Sequence, residues 1–430
     1  MSRETLSTRA PGPALLTTAF GSTVAMWAVG YFGRLPGLEI PSPILLGLIL
    51  ACLPAGGIVL ARSAAGTVRD GAVSGAVTGL LNLLVLGSFI GGPSPGRVVP
   101  SVLLWIPGSI LLSSLLVATG AKLAGPRPAA SERDGAWSAR FAWVSVAATI
   151  LLLGAGGLVT SAEAGLAVVD WPTSFGYSMF LYPFSRMTGG IYYEHAHRLI
   201  GALVGLTTLT LAVAVQRAET RRSVRWLAWA LVAAVVVQGT LGGLRVTGES
   251  LALAFVHGVL AQAFFAALII LATLLSPRWI ESGGPARVPS ALADRGLSTL
   301  LLGLLAIQLL LGAAQRHFQE LLLVHVVFGL GVVAPFGLKV AFRAIALHRP
   351  IPLLQRLGVG LGATLALQVV LGFGAWIATS AVEAGTLPRE FDLVLATAHQ
   401  WFGAILLGTA VLLQIWTFRL LAPPPPEGRL

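Results

Sequence analysis

The chain has 430 residues, of which 56% are hydrophobic and 10% charged, and its mean hydropathy is +0.84. A soluble domain is about 45–50% apolar, so this composition excludes a water-soluble globular protein and predicts a polytopic membrane protein. The net charge of +11 does not point to nucleic acid, because the basic residues are scattered between apolar runs instead of lining one polar face. The single cysteine, Cys52, lies within an apolar run and reads as a small core residue. One cysteine excludes an intrachain disulfide framework and a cysteine-ligated metal site.

Taken in order, the chain begins with a polar stretch, Met1 to Pro13, and the many apolar runs after it argue against a cleaved signal peptide. Apolar runs long enough to cross a bilayer fall near 14–33, 43–61, 71–91 and 101–121. Eight more fall near 141–160, 195–215, 225–245, 252–275, 296–315, 321–342, 353–379 and 392–420. All twelve are expected to be α-helices, since lipid cannot satisfy an open backbone. Their frequent Gly and Ala permit close helix contact. The fold class is therefore all-α.

Polar segments divide the chain. Residues 1–121 form a four-helix membrane extension without histidine, in which Asn82 is the one amide and no chemistry is visible. Residues 122–140, with Gly125-Pro126-Arg127-Pro128, are a linker; 141–275 and 296–420 are two four-helix halves joined by a linker at 276–295, and 421–430 is a polar tail containing Pro423 to Pro426. With a cytoplasmic N-terminus, 21 of the 28 Lys and Arg fall on the cytoplasmic side. This asymmetry predicts both termini in the cytoplasm.

The most polar site next to an apolar run is Glu194-His195-Ala196-His197-Arg198. Ionisable residues at a membrane boundary are costly and mark function by default. His197 also belongs to a repeat: His197 with Gly201, His257 with Ala261, His325 with Gly329 and His399 with Gly403 each place a small residue on the imidazole's helix face, leaving room for something flat. The preceding helix carries Gln238 to Gly242, Gln308 to Gly312 or Gln368 to Gly372, with Leu152 to Gly156 as the first counterpart. These Gln-x-x-x-Gly elements read as helix packing with an interhelical amide bond. The two halves are thus related by duplication.

Each of the four histidines lies near the outer end of an even-numbered helix of its half, so within a half two imidazoles can face each other across a bundle core. Bis-histidine ligation of heme iron is the economical reading, and two halves imply two heme sites. His195 reads as interfacial, His317 as an outer-loop residue and His348 as a solvated residue of a cytoplasmic basic loop. Glu194 shares a helix face with His197. It either caps the helix N-terminus or takes protons and holds a reacting water beside a heme edge. Arg198 matches a heme propionate or snorkels to the interface.

The loop before this helix reads Gly156-Gly157-Leu158-Val159-Thr160, then Gly165-Leu166-Ala167-Val168-Val169-Asp170-Trp171-Pro172. Together with Glu194, His197 and Arg198 and the duplicated histidine helices, it closely resembles the heme A synthase family over about 135–420. The resemblance implies an enzyme of the cell inner membrane that oxidises a methyl group of heme O to the formyl group of heme A, by successive hydroxylations and loss of water. It implies that His197 and His257 flank the substrate heme O with Glu194 near the reacting methyl, and that His325 and His399 ligate a heme b cofactor near the outer face. Implied partners are heme O, heme O synthase, an electron donor and membrane lipid, with homo-oligomerisation open.

Three departures stand out. Val168 replaces one member of a loop cysteine pair common in bacterial relatives, which excludes a thiol step. Ser161 follows Thr160 where the family often has Arg, so a cation is missing or comes from Arg245 or Arg186. The first four helices are additional to the usual eight. Competing classes are a diheme electron-transfer cytochrome and a heme carrier; neither requires Glu194 or the Asp170-Trp171-Pro172 loop.

Overall fold

The computed structural model describes residues 12–35, 38–125 and 134–425. Most of the polar start, the linker residues 126–133 and the end of the polar tail lie outside them. Among the described residues, twelve helices are long and apolar enough to cross a membrane. In order these are α1 (Gly12–Phe32), α2 (Ser42–Ala64), α3 (Val68–Ile90), α4 (Val102–Ala124), α5 (Asp134–Ser161), α6 (Gly190–Ala218), α7 (Arg222–Thr247) and α8 (Leu251–Leu275). After a short α9 (Pro277–Glu281) come α10 (Ala291–Phe318), a span made of α11 (Leu322–Phe328), a π-helical turn (Gly329–Val333) and α12 (Ala334–Leu347), then α13 (Pro352–Glu383) and α14 (Arg389–Leu420). Several run past their expected apolar runs, α5, α6 and α10 most clearly, because polar residues beyond the hydrocarbon core continue the helix. Large apolar side chains stand fully outward, such as Leu103 at 79% and Leu104 at 75% exposure on α4 and Phe342 at 68% on α12. In water these would be a liability; in a bilayer they are the lipid face. The chain is an all-α multi-pass membrane protein.

The chain forms two compact units, Met1–Ala155 with Ala164–Val235, and Gly156–Glu163 with Val236–Leu430. In the first, α1 packs on α2 and α3, and α3 lies along α4. The α3–α4 approach requires glycine: a Cβ at Gly75 would stand 2.4 Å from the Ser113 carbonyl oxygen. Thr67 and Asp70 form a capping box that starts α3. Asn82 is buried and accepts a hydrogen bond from Trp27 Nε1 at 3.1 Å, so the extension's single amide ties α1 to α3. Leaving either group unpaired away from water would cost on the order of several kcal/mol.

The second unit is built around Leu301, Leu305, Leu354, Leu361, Leu413 and Trp416, which bring α10, α13 and α14 together. Two short strands, β3 (Ala286–Arg287) and β4 (Leu421–Ala422), pair in parallel, and the Arg295 guanidinium binds the carbonyls of Phe418 and Leu421. His348 departs from the sequence expectation. It is buried, with Nε2 at 2.9 Å from Asp294 Oδ2, while Arg343 Nε donates to Asp294 Oδ1 at 2.7 Å. A basic loop in the sequence is here the partner of a buried carboxylate 54 residues earlier. His317 also differs: it belongs to the last turn of α10, not to a loop.

Candidate functional site

In the first unit, the segment between α5 and α6 folds over the start of α6. Thr173–Ser174 and Tyr177–Ser178 form a small antiparallel hairpin, labelled β1 and β2, whose turn residues Phe175 and Gly176 both have positive φ (51° and 76°). That conformation suits a two-residue hairpin turn but costs about 1 kcal/mol at a non-glycine residue. Asp170 offsets it. Its carboxylate accepts from the backbone N–H groups of Phe175 (2.6 Å) and Gly176 (2.9 Å) and from the Thr173 hydroxyl (2.6 Å). Partial burial works to raise its pKa, but these three bonds outweigh burial and hold the carboxyl below its usual range. Burial likewise pushes the nearby Tyr182 phenol upward.

The hairpin is fastened to α6 by the residues the sequence singled out. Arg198 donates through Nη1 to the carbonyls of Asp170 (2.7 Å) and Thr173 (3.0 Å), and through Nη2 to that of Val168 (2.8 Å). Its Nε donates to Glu194 Oε1 at 3.1 Å, and both side chains are less than a tenth exposed. Glu194 and Arg198 are four apart, the spacing that places them on one helix face. Arg198 therefore neither snorkels nor stands open; its guanidinium organises the loop around Glu194. His195 is fully buried, not interfacial, with Nδ1 3.2 Å from the Ser174 hydroxyl and its ring 5.1 Å from that of Tyr182. His197 is half-buried one helical turn from Glu194. Beyond it, a Cβ on Gly201 would meet Leu152 at 3.9 Å.

In the second unit the repeat becomes a physical contact. Antiparallel α10 and α11 each present a long polar side chain followed four residues later by glycine, and the two sets interlock. A Cβ on Gly312 would stand 2.8 Å from His325 Cε1; a Cβ on Gly329 would stand 2.7 Å from Gln308 Nε2. On α13 and α14, Gly372 lies under His399 (2.9 Å) and Gly403 under Gln368 (3.1 Å) in the same way. Gly242 lies under His257 at 3.2 Å. The notch beside each of His325 and His399 thus holds a carboxamide, and the notch beside the glutamine holds the imidazole. The amide bond expected between helices runs to the histidine: Gln308 Nε2 lies 3.1 Å from His325 Nδ1 and donates to the His325 carbonyl at 3.1 Å. His399 Nδ1 lies 3.2 Å from the Gln368 carbonyl. A carbonyl only accepts, so Nδ1 carries the proton and Nε2 keeps its lone pair, the tautomer a metal ligand needs.

The His325 and His399 rings lie 6.1 Å apart, centroid to centroid, at 90°. With metal–nitrogen bonds of about 2 Å and about 1 Å from nitrogen to ring centre, two imidazoles on opposite faces of one iron require about 6 Å. The pair therefore fits a bis-histidine heme. Among the described residues no group of three or more His, Cys, Asp or Glu gathers as a set for a bare ion; a porphyrin, which brings four nitrogens of its own, asks only for two. On the sequence, the cation expected after Thr160 is either missing or supplied by Arg245 or Arg186. The guanidinium at Thr160 is Arg316, whose Nη2 donates to the Thr160 carbonyl at 2.6 Å. Arg186 lies instead on the Tyr177 hydroxyl. Nothing near Thr160 in the sequence points to Arg316.

These features define a class: a multi-pass helical membrane protein with half-buried imidazoles set in glutamine- and glycine-lined helix interfaces, and a covered carboxylate–guanidinium pair at the start of one helix. Residues 139–331 match the family model described as cytochrome oxidase assembly protein, COX15-CtaA. The match supports a role in cytochrome oxidase assembly. It takes in Glu194, His197, His257 and His325 and stops short of His399. No curated protein and no solved structure matches the chain.

Proposed function

We propose that this protein is a heme A synthase that oxidises a methyl group of heme O to a formyl group. The observation that carries the reading is the buried Glu194–Arg198 pair (3.1 Å), one helical turn from His197 and roofed by the Asp170 loop, within the family-matched segment. Two successive hydroxylations turn methyl into a geminal diol, and loss of water leaves the formyl group. With water as the oxygen donor, each hydroxylation gives up two electrons to an external one-electron acceptor and two protons, and Glu194 is the base in place to take the protons. The Arg198 guanidinium, 3.1 Å away, holds the Glu194 carboxylate in place beneath the loop. His197 and His257 take the ligand roles toward substrate heme O that the resemblance implies. His325 and His399 hold heme b, which when bound supplies one-electron storage. The carbonyl-fixed Nδ1 of His399 sets its ring, and Gly312 and Gly372 leave the two imidazoles room. The site-bearing loop faces the outer side of the inner membrane, with both termini in the cytoplasm.

The test is chromatographic analysis of hemes from cells expressing this chain with a heme O synthase. Heme A or its hydroxylated intermediate is expected with the wild type and lost with Glu194→Ala and His197→Ala, while His325→Ala and His399→Ala remove the bis-histidine spectrum. Recovery of only hemes B and O from the wild type, with that spectrum intact and reductant present, would overturn the synthase reading in favour of an electron-transfer cytochrome. Full heme b retention in both His325→Ala and His399→Ala would overturn the cofactor assignment.

A further inference from the structure

The four N-terminal helices have no part in the motifs, yet the end of α3 carries the α5–α6 loop. Gly87 and Gly91, one helical turn apart, abut the loop backbone: a Cβ on Gly87 would lie 2.0 Å from the Phe180 carbonyl oxygen, and one on Gly91 1.9 Å from that of Leu181. Just beyond, the Pro93 carbonyl accepts from the Tyr177 hydroxyl (2.8 Å) and from Arg186 Nη2 (3.2 Å), while Arg186 Nη1 donates to the Tyr177 oxygen (3.1 Å). Phe89 stacks on Phe184 with centroids 4.9 Å apart. Tyr177 is the β2 residue opposite Ser174 of β1. Ser174 meets His195, and its neighbour Thr173 gives its carbonyl to Arg198. An unbroken line of contacts therefore runs from Pro93 through the hairpin to Arg198 and Glu194.

A loop of this length, with only two-residue strands, loses much backbone entropy when it is fixed, and must be held from outside its own residues. We propose that the N-terminal four-helix segment is a positioning element for this loop: Gly87, Gly91 and the Pro93 carbonyl seat the hairpin through Tyr177 and Arg186, and so hold the carbonyls that fix Arg198 beside Glu194. The seat stands on its own geometry; its effect on chemistry rests on the role of Glu194 proposed above.

The experiment uses the full-length protein, as wild type, Tyr177→Phe, Gly91→Ala and, as a control, Gly108→Ala in α4, where a Cβ meets nothing within 4 Å. Hydrogen exchange is followed over the loop and over α13–α14, alongside the heme spectrum and heme A formed per protein. Tyr177→Phe removes the hydroxyl's bonds at Pro93 and is expected to speed exchange at the Phe175 and Gly176 amides by about three- to tenfold. Gly91→Ala has a larger effect and Gly108→Ala none. Exchange in α13–α14 and the heme spectrum stay unchanged while heme A per protein falls. Unchanged loop exchange in both Tyr177→Phe and Gly91→Ala overturns the proposal, as does a uniform rise across α1–α6 in place of a local one. Faster loop exchange with undiminished heme A overturns the link to Glu194 but not the seat. Absence of heme A from the wild type overturns the synthase reading alone, since the exchange result does not depend on it.

Discussion

The first repeat, on α5 and α6, and the last, on α13 and α14, start from one frame and are finished differently. On α13–α14 a glutamine fills the glycine notch beside the histidine, and its carbonyl fixes the ring. On α5–α6 Leu152 approaches the equivalent notch at Gly201, and the polar contacts lie instead one turn earlier, between Glu194, Arg198 and a folded loop. The difference teaches how a duplicated scaffold specialises. In the proposed function the His325–His399 pair would only hold iron, and neutral amides keep its ring geometry without adding charge. In the proposed function Glu194 would accept protons, and this carboxylate comes with a guanidinium partner and a loop that covers it.

The largest expected effect that would break this contrast is Arg198→Ala. It leaves Glu194 buried without its guanidinium and strips three loop carbonyls of their donor. Removing one partner of a buried pair costs about 3–5 kcal/mol. Thermal unfolding should show a marked drop together with faster proteolysis of the loop; a variant as stable as wild type would mean that the cover does not depend on the charge pair. Next is Gly372→Val, which drives a Cβ to 2.9 Å from His399 Cε1. Overpacking of this kind costs about 1–3 kcal/mol. Heme b absorbance should fall while loop proteolysis is unaffected, and Gly258→Val, with nothing within 4 Å, should do neither.

The smallest effect is the acid response of the loop. The Asp170 carboxyl is held below its usual value by the Gly176, Thr173 and Phe175 bonds, which outweigh burial. A depressed carboxylate stabilises the folded loop above the ordinary value of about 3.9, and that contribution is lost as pH falls through the lower folded value. Peptic cleavage between α5 and α6 should therefore stay slow at pH 5 and accelerate only below about 4. Asp170→Asn should abolish the step; an acid step that survives it would place the titrating group elsewhere.

The architecture was legible because membrane helices announce themselves by length and apolarity, and the histidine and glutamine repeat was legible because helical spacing converts sequence distance into a shared face. What stayed hidden depended on partners far apart in the chain. His348 looked solvated because its neighbours Arg349 and Arg356 are basic, whereas Asp294, which buries it, lies on another helix. His195 looked interfacial until Ser174 folded over it. Arg316 at Thr160 and Tyr177 at Pro93 join segments 156 and 84 residues apart, with no local pattern to flag either. The notches at Gly329 and Gly403, four residues after His325 and His399, hold the Gln308 and Gln368 amides, because antiparallel neighbours offered each other matching notches.

The π-helical turn at Gly329–Val333 follows His325 by one helical turn. A turn closed by i→i+5 bonds houses one residue more than an α-turn, and each residue rotates an α-helix by about 100°. The span beginning at Leu322 therefore has two azimuthal phases, one that aims His325 at Gly312 and another that aims Arg343 at Asp294. A single-residue insertion absorbed at this point would leave both alignments intact, whereas its deletion would force the helix to choose between the imidazole and the guanidinium. The span thus preserves, in its winding, a compromise between the ends of the membrane it has to serve.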